Sequence, residues 1–279
     1  MASIVTLTTD FGSSDGYVGM MKGVLLAITP QAQIVDITHD IEHGNVRGAA
    51  FVLGMSYKFF PKDTVHLVVV DPGVGTERNP LCLKGVGQYF VGPDNGVFSH
   101  VLNEASPDTD APPSEECQGP HPRPLPEGFE GVRLTDTRFW LREVSNTFHG
   151  RDLFAPVAAH LPGTKPAEMG EPVTSVLAYP RLKARIDEQG RLVGEVVHVD
   201  RFGNLITSIR REQLSEGLVK GTVEGHPFAG LVRSYGDGGD LFALIGSAGY
   251  VEIAERDGSA AARTGARVGS EVALERVLF

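Results

Sequence analysis

A carboxylate stands at the end of a strongly apolar segment, and a guanidinium follows a few residues later. Residues 65–70 form a β-branched run that stops at Asp71-Pro72-Gly73-Val74-Gly75-Thr76-Glu77-Arg78. Such a run predicts a strand buried on both faces, and the proline and glycines predict a turn open to close approach by a ligand. Ligands of open α/β sheets bind beyond the carboxyl ends of the strands. Asp71 and Arg78 are therefore candidate site residues; the alternative is a loop carboxylate that only caps or pairs.

Further polar residues follow other predicted strands. Residues 4–9, 33–38 and 88–91 are strand candidates, followed respectively by Asp10 and Asp15, by His39 and Asp40, and by Asn95. A later segment, Phe148-His149-Gly150-Arg151-Asp152, holds a histidine between a ring and a flexible glycine, which suits a side chain aimed into a pocket. Purely structural interpretations stay open for these residues. Asp15 could cap a helix, His39 could be a hydrogen-bonded structural histidine at a strand end, and Arg151 with Asp152 could be a solvated ion pair.

Helices alternate with these strands. Apolar residues at positions 18, 21, 24, 25 and 28 predict a helix over 17–28, with Ser13, Ser14 or Asp15 as its N-cap, and residues 45–60 predict a second helix. A third runs through Val157 and His160. Strands and helices in alternation predict an α/β fold, a doubly wound and mostly parallel sheet with a crevice at the strand ends.

The pattern changes beyond about residue 180. Residues 192–199, 205–209, 221–223, 242–245, 250–253 and 271–276 are short strand candidates between glycine-rich turns. They predict a smaller all-β, barrel-like domain. We therefore predict a catalytic α/β domain over 1–180 and a β-barrel domain over 190–279. Prolines crowd residues 106–127, for which we predict a surface excursion without regular structure.

Composition narrows the class of protein. The chain has 279 residues, 41% of them hydrophobic, and a net charge of −10, which argues against a nucleic-acid partner. Cys82 and Cys117 suggest neither a disulfide framework nor a thiolate metal site. No apolar run reaches the roughly 18 residues of a membrane span, and no signal peptide is recognisable. We expect a cytoplasmic protein with no membrane partner.

Six ordered motifs carry a resemblance to a known family. They are Thr8-Thr9-Asp10-Phe11-Gly12-Ser13-Ser14-Asp15, Asp36-Ile37-Thr38-His39, the segment from Val70 to Arg78, Gly92-Pro93-Asp94-Asn95-Gly96, Phe148-His149-Gly150-Arg151-Asp152 and Asp200-Arg201-Phe202-Gly203-Asn204. Together they resemble the S-adenosylmethionine (SAM) hydroxide adenosyltransferases, relatives of the fluorinase and chlorinase enzymes. The resemblance implies a homotrimer whose sites lie between one subunit's N-terminal domain and its neighbour's C-terminal domain. It also implies hydrolysis of SAM to adenosine and L-methionine, with no metal or cofactor.

The same resemblance implies roles for individual residues. Asp71 would hold and help deprotonate a water in line with the C5′–S bond, with Arg78 and His149 orienting it. Asp10 would bind the ribose hydroxyls, and Asp200, with Asp15, the methionine ammonium. Phe202 would pack on adenine, with Asn204 reading the polar edge of the base, and Ser247 would lie near the methionine carboxylate. Tyr235 is a weaker candidate for a second ring that stacks on adenine. Phe148 completes the predicted substrate-binding set.

Three alternatives stay open at this point. A SAM-dependent halogenase is the close one, but an ionised Asp71 would repel a halide, and the halogenases lack this Asp-Arg-His set. A metal-dependent nucleotidase would use Asp10, Asp15 and Asn95 to hold a divalent ion. A sensor of adenosine or SAM would bind ligand without turnover.

Overall fold

The computed structural model describes residues 3–106, 119–161, 163–214 and 219–276. Two compact units divide the chain, Met1–Arg181 and Leu182–Phe279. Each unit is described by itself below.

A seven-stranded mixed sheet forms the centre of the first unit. The strands of this unit are β1 (Ile4–Thr9), β2 (Gln33–Thr38), β3 (Val65–Val69), β4 (Pro80–Gly85), β5 (Gln88–Pro93), β6 (His121–Pro124), β7 (Glu130–Leu134), β8 (Gly170–Val173) and β9 (Ser175–Ala178). The sheet order is β2-β1-β3-β5-β4-β7-β8. The first four of these strands pair in parallel, whereas β4, β7 and β8 add on antiparallel. The predicted α/β class with a parallel-rich sheet is confirmed.

Helices cover both faces of this sheet. They are α1 (Tyr17–Ile28), α2 (Val46–Ser56), α3 (Ser99–Ala105) and α4 (Ala155–His160). Alternate residues of β3 divide between two cores, because successive side chains of a strand point to opposite faces. Val65, Leu67 and Val69 pack with residues of α1 and α4, and Val68 with residues of α2 and α3. This double burial is why residues 65–70 are apolar without alternation.

The start of α1 differs from its prediction. The helix spans Tyr17–Ile28 and buries Val18, Met21 and Leu25, as the spacing predicts. Its N-cap is Gly16, with no side-chain cap hydrogen bond, so the predicted capping by Ser13, Ser14 or Asp15 was wrong. All three side chains are left exposed in the loop after β1.

The proline-rich segment holds one strand that we did not predict. β6 pairs antiparallel with β9 in a separate two-stranded sheet, from His121 opposite Ala178 to Pro124 opposite Ser175. Its prolines occupy an edge strand, the position in a sheet where a missing N–H is tolerated. The rest of the predicted excursion, residues 107–118, lies outside the described residues.

A closed β-barrel forms the second unit. Its strands are β10 (Arg185–Ile186), β11 (Leu192–Val199), β12 (Leu205–Arg210), β13 (Val219–Val223), β14 (His226–Val232), β15 (Leu241–Ile245), β16 (Tyr250–Glu255) and β17 (Glu271–Arg276), and a short helix α5 spans Ala260–Thr264. The order β11-β12-β16-β15-β14-β13-β17 returns to β11, which closes a ring of seven strands. Apolar side chains from these strands fill the interior. The predicted barrel-like fold is confirmed.

The described ranges hold no candidate membrane-spanning helix and one free cysteine. No helix there combines the length and the apolar character needed to cross a bilayer. Cys82 is buried in β4, where burial raises the pKa of its thiol to about 12, so it stays protonated. Cys117 lies outside the described residues.

Candidate active site

Asp71 and Arg78 form a bidentate ion pair just beyond the end of β3. Arg78 Nε donates to Asp71 Oδ1 at 3.0 Å and Oδ2 at 2.9 Å, and Nη2 donates to Oδ2 at 2.5 Å. The two side chains are 9% and 5% exposed, so the pair is partly withdrawn from solvent. Such forked pairing fixes the carboxylate in orientation as well as in charge.

His149 joins this pair through the same guanidinium. Arg78 Nη2 lies 2.8 Å from His149 Nδ1. An arginine side chain only donates, so Nδ1 must be the acceptor and the ring proton of neutral His149 resides on Nε2. Burial, followed by the positive charge of Arg78, lowers the pKa of His149 below its ordinary 6.5, although Asp71 and Asp152 oppose the shift. His149 is therefore a neutral ring with an Nε2–H donor at neutral pH.

Two features bring the loop of Asp71 against the segment of His149. Gly75 has a φ of 76°, and a Cβ there would overlap the carbonyl oxygen of Asn146, so only glycine allows the two loops to touch. The guanidinium carbon of Arg78 lies 5.1 Å from the centre of the Phe154 ring, which is fully buried. Phe154 belongs to a π-helical turn, Gly150–Phe154, that follows His149 directly. One segment thus supplies both the histidine and the ring that supports the arginine.

Asp152 holds the loop that leads to His149. Its side chain is fully buried, and Oδ2 accepts hydrogen bonds from the backbone N–H of Ser145 at 2.8 Å and from the Ser145 hydroxyl at 2.7 Å. Arg151 Nε donates to Oδ1 at 2.5 Å. The interpretation of Arg151 and Asp152 as a solvated pair was wrong for Asp152, since its side chain is fully buried.

Asp10 lies at the end of β1 with its side chain only 5% exposed. Oδ2 accepts the backbone N–H of Gly44 at 2.9 Å and lies 3.3 Å from His43 Nδ1. Asp15, by contrast, is exposed in the loop before α1. Both residues belong to the segment after β1, but Asp10 is buried and hydrogen-bonded, whereas Asp15 is open to solvent.

Phe148 packs in an aromatic cluster rather than standing free. Its ring lies 5.7 Å from Phe11 and 5.2 Å from Tyr17, both edge-on, and the residue is 8% exposed. The Arg151 guanidinium covers it at 5.0 Å. Tyr17 is 47% exposed, so it is the solvent-facing member of this cluster.

Two further polar residues named in the sequence analysis, His39 and Asn95, have structural partners. Thr9 Oγ1 lies 2.9 Å from His39 Nδ1, and His39 Nε2 lies 3.1 Å from Asp36 Oδ1, which fits the structural interpretation of His39. Asn95 Nδ2 donates to the Val70 carbonyl at 2.9 Å and so braces the strand end before Asp71. Asp40 is exposed. No cluster of three or more His, Cys, Asp or Glu side chains that could hold a metal ion occurs among the described residues.

In the second unit, Asp200 and Asn204 close a tight turn between β11 and β12. Asp200 Oδ1 accepts the backbone N–H groups of Phe202 and Asn204, each at 2.9 Å, and Oδ2 accepts Asn204 Nδ2 at 2.9 Å. Gly203 has a φ of 84°. The turn presents Phe202 outward with 77% of its surface exposed, whereas Asn204 is 6% exposed. A large exposed ring on a rigid turn is suited to packing against a ligand or another surface.

Tyr235 and Ser247 lie in other loops of this unit. Tyr235 is 48% exposed, and its hydroxyl donates to Glu252 Oε2 at 2.9 Å. Ser247 is exposed in the turn between β15 and β16. The sequence analysis did not single out Glu252, the buried partner of Tyr235, although an acidic residue within the predicted strand 250–253 could have drawn attention to it.

The first unit therefore presents a strand-end acid, a bridging arginine and a neutral histidine within hydrogen-bonding distance of one another. A carboxylate acceptor beside an N–H donor can hold a water molecule and take its proton, and a guanidinium stabilises the negative charge that develops. With the barrel unit, these features define a two-domain protein with a candidate acid-base site at the end of a parallel strand.

Comparison with known proteins identifies the family. Residues 5–170 match the SAM hydroxide adenosyltransferase N-terminal domain, and residues 194–273 match the C-terminal domain of the same name. The chain belongs to the SAM hydroxide adenosyltransferase family, as its motifs predicted.

Individual relatives cover nearly the whole chain. An (R)-S-adenosyl-L-methionine hydrolase of Salinispora tropica is 37% identical over 276 residues, 96% of each chain. A fluorinase of Actinopolyspora mzabensis is 26% identical over 313 residues, 98% of this chain and 97% of its own. The crystal structure of an uncharacterized conserved protein from Thermotoga maritima superimposes with a TM-score of 0.82 at 35% identity, covering 98% of this chain and 100% of that one.

Proposed function

We propose that this chain hydrolyses SAM to adenosine and L-methionine. The observation that carries the proposal is the Asp71–Arg78–His149 set, in which an acceptor, a cation and a neutral N–H donor meet. The name of the Salinispora relative supports the same substrate and reaction. The residue set favours SAM hydrolysis over sensing of adenosine or SAM, because a sensor needs no acid-base group. The name of the relative favours hydrolysis as well.

The reaction is written at the ribose C5′. Water held by Asp71 and by the His149 ring attacks C5′ in line with the C5′–S bond, which breaks with its electron pair on sulfur. The leaving group is the neutral thioether methionine, and the new C5′–O bond gives adenosine. The proton lost by the water passes to the Asp71 carboxylate, the His149 Nε2–H donates to the water oxygen, and Arg78 stabilises the hydroxide character of the nucleophile. The reaction as written requires no cofactor or metal.

Water is favoured over halide on electrostatic grounds. A halide ion beside the Asp71 carboxylate would pair two negative charges in a partly buried site, which raises the energy of both. The fluorinase relative is also less similar to this chain than the hydrolase relative, 26% against 37% identical.

We propose further that the substrate residues act across a homotrimer, as the family resemblance implies. Asp10, Asp15 and Phe148 belong to one unit, and Asp200, Phe202, Asn204, Tyr235 and Ser247 belong to the other. The 77% exposure of Phe202 supports a role at a surface that another molecule covers.

The decisive experiment is chromatography of the purified protein after incubation with SAM. The (R) and (S) sulfonium epimers are tested separately, because the hydrolase relative is named for the (R) form, and each is run with and without chelator and with and without excess chloride. We expect adenosine and methionine with the (R) epimer under all these conditions. Chlorinated adenosine would make the protein a halogenase, chelator-sensitive turnover would favour the metal-dependent alternative, and binding without product would favour a sensor.

A further inference from the structure

The loop that carries Asp71 and Arg78 crosses the end of a strand that comes later in the chain. β3 and β4 follow one another in sequence, but β5 lies between them in the sheet. Neighbouring strands lie about 4.8 Å apart, so residues 70–79 must span about 10 Å across the end of β5. Asp94 and Asn95 directly follow β5, which places them at this crossing.

Asn95 holds the first end of this loop. Its Nδ2 donates to the carbonyl of Val70 at 2.9 Å, and Val70 is the residue before Asp71. Its Oδ1 accepts the backbone N–H of Val97 at 3.2 Å, which ties the amide to its own turn. Val70 is fully buried, and a buried carbonyl without a donor is costly. The end of β3 is therefore fixed in relation to the turn after β5.

Asp94 holds the second end. Its backbone N–H donates to the carbonyl of Asn79, the residue after Arg78, at 2.9 Å. Its carboxylate accepts a hydrogen bond from the side chain of Asn79, and Oδ1 also accepts the backbone N–H of Leu177 at 2.8 Å. Asp94 is 9% exposed, so burial raises the pKa of its carboxyl, and the two hydrogen bonds oppose the shift. Asp94 therefore joins the residue after Arg78 to β9 and to the end of β5.

Hydrogen bonds within the middle of the loop are local. The backbone N–H of Val74 donates to the carbonyl of Asp71 at 3.2 Å, and that of Thr76 donates to the carbonyl three residues earlier at 3.1 Å. Most of residues 72–77 are exposed. Local turns shape a loop, but they do not decide where it lies on the sheet. Its placement therefore depends on its two ends and on its contact with Asn146.

We propose that Asp94 and Asn95 are positioning residues of the hydrolysis reaction. They hold the two ends of the loop and thereby place Asp71 and Arg78 against the histidine of the site. The inference rests on the proposed function and gives a role to two adjacent motif residues that the reaction itself does not use. Because misplacing reacting groups by about 1 Å costs up to 10²-fold in rate, a small shift of either end should lower kcat.

Asp94→Ala tests the second end of the loop. It removes both side-chain hydrogen bonds of Asp94, and we expect kcat to fall on the order of 10-fold with KM for SAM changed little. Asp94→Asn keeps an acceptor for the Leu177 N–H and a polar partner for the Asn79 amide, so it should retain most of kcat. Recovery by this conservative variant separates hydrogen bonding from charge.

Two further variants support this test. Asn79→Ala removes one partner of Asp94 from a partly exposed position, should lower kcat in the same way, and replaces Asp94→Ala if that variant does not fold. Asn103→Ala is the matched control, because Asn103 is similarly buried, at 8% exposure, and donates to the Tyr179 carbonyl at 3.3 Å. Asn103 thus supports the segment after β9 through a contact outside the loop, and its loss should lower stability but not kcat.

Asn95→Asp tests the first end of the loop. Aspartate keeps the acceptor for the Val97 N–H but, when ionised, has no donor for the Val70 carbonyl. We expect kcat at pH 8 to fall on the order of 10-fold or more, again with little change in KM. Wild-type kcat in Asn95→Asp or in Asp94→Ala would overturn the role of that residue. An equal loss of kcat in Asn103→Ala would overturn positioning as the cause.

The titration of His149, followed by NMR, tests the second end without turnover. Burial and Arg78 lower the pKa of this ring, and the charges of Asp71 and Asp152 oppose them. If Asp94→Ala lets Arg78 withdraw, the pKa of His149 should rise toward 6.5, whereas Asp94→Asn should leave it unchanged. An unchanged pKa in Asp94→Ala would overturn the placement of Arg78 by Asp94. Absence of turnover by the wild-type protein would overturn the proposed function, and this titration would still decide whether Asp94 places Arg78.

Discussion

Arg78 donates hydrogen bonds to both Asp71 and His149, and this arrangement favours the neutral form of His149. Its Nη2 reaches both Asp71 Oδ2 and His149 Nδ1. A doubly protonated His149 would turn an N–H toward the guanidinium and lose that contact. Burial of the ring, and then the arginine, lower the pKa of His149 and favour its neutral form, while the arginine also fixes the carboxylate.

At the scale of single residues, Asp71→Asn removes the acceptor proposed to take the proton from water. We expect turnover to fall by about 10²-fold or more, with SAM binding largely retained. Initial rates and calorimetric binding measure the two effects. Asp63→Asn is the matched control, because Asp63 is exposed at the opposite end of β3, and asparagine also tolerates its φ of 64°. Full activity in Asp71→Asn would remove this residue from the mechanism.

The lowered pKa of His149 predicts an acid limb in the rate profile. The neutral ring predominates at pH 6.5 and above, so the rate should be level there and fall as the pH drops through the depressed pKa. The unfolded chain binds this proton first, so stability also declines as the pH falls below 6.5. His149→Gln, which can accept from Arg78 without titrating, should lose the acid limb in its residual activity. An acid limb centred above 6.5 would contradict a neutral His149.

At the scale of elements, the site depends on contact between two loops. The Asp71–Arg78 loop and the segment before His149 meet where Gly75 passes the Asn146 carbonyl. Asp152 holds the segment before His149 in place by accepting two hydrogen bonds from Ser145. The relative position of acid and histidine is therefore decided by backbone packing as well as by their own hydrogen bonds.

Gly75→Ala should separate these loops and reduce kcat. The new methyl group would overlap backbone that cannot rotate away, so we expect on the order of a 10-fold loss or more, since misplacing reacting groups by about 1 Å costs up to 10²-fold. Gly128→Ala is the control: Gly128 also has a positive φ, 82°, but has open space around it. Both variants should lose stability through the left-handed backbone. Equal kcat in the two would show that the loop contact does not position the site.

At the scale of the whole molecule, the proposed trimer predicts complementation. Asp71→Asn damages the first unit, and Phe202→Ala damages the second without disturbing its core. If each site combines units from two subunits, equal co-expression of the two inactive variants should restore about one quarter of wild-type activity by random assortment. Activity assays on the co-purified mixture, with size-exclusion chromatography, measure this. A mixture that stays inactive although the variants assemble together would place both sets of residues in one subunit's site.

Local patterns predicted the parallel half of the sheet well and its antiparallel half poorly. The limits of β1, α1 and β2 follow from runs of apolar residues at strand and helix periods. β7 and β8 escaped prediction because β7 pairs with β4 and β8, which are distant in sequence, and local sequence does not encode such pairing. β4 was missed although it forms a local hairpin with β5. β14 was missed because it contains proline and glycine in His226–Val232.

The residues of the candidate site could be predicted from the sequence, but their contacts and burial could not. The motifs located Asp71, Arg78 and His149, but only packing reveals that Arg78 bridges the other two. The burial of Asp152 and Glu252 was not predicted, because burial is decided by the tertiary packing of the chain. A sequence shows which side chains carry a charge, but it does not show whether solvent reaches them.

The closing strand of the barrel has a consequence for biosynthesis. β17 pairs on one side with β13 and on the other with β11. Until the ribosome has released this strand, β11 and β13 each keep an unpaired ladder of backbone groups, and such open edges recruit strands from other chains. The barrel can therefore close only after β17 has been synthesised, and loss of β17 alone would leave the facing edges of β11 and β13 unpaired.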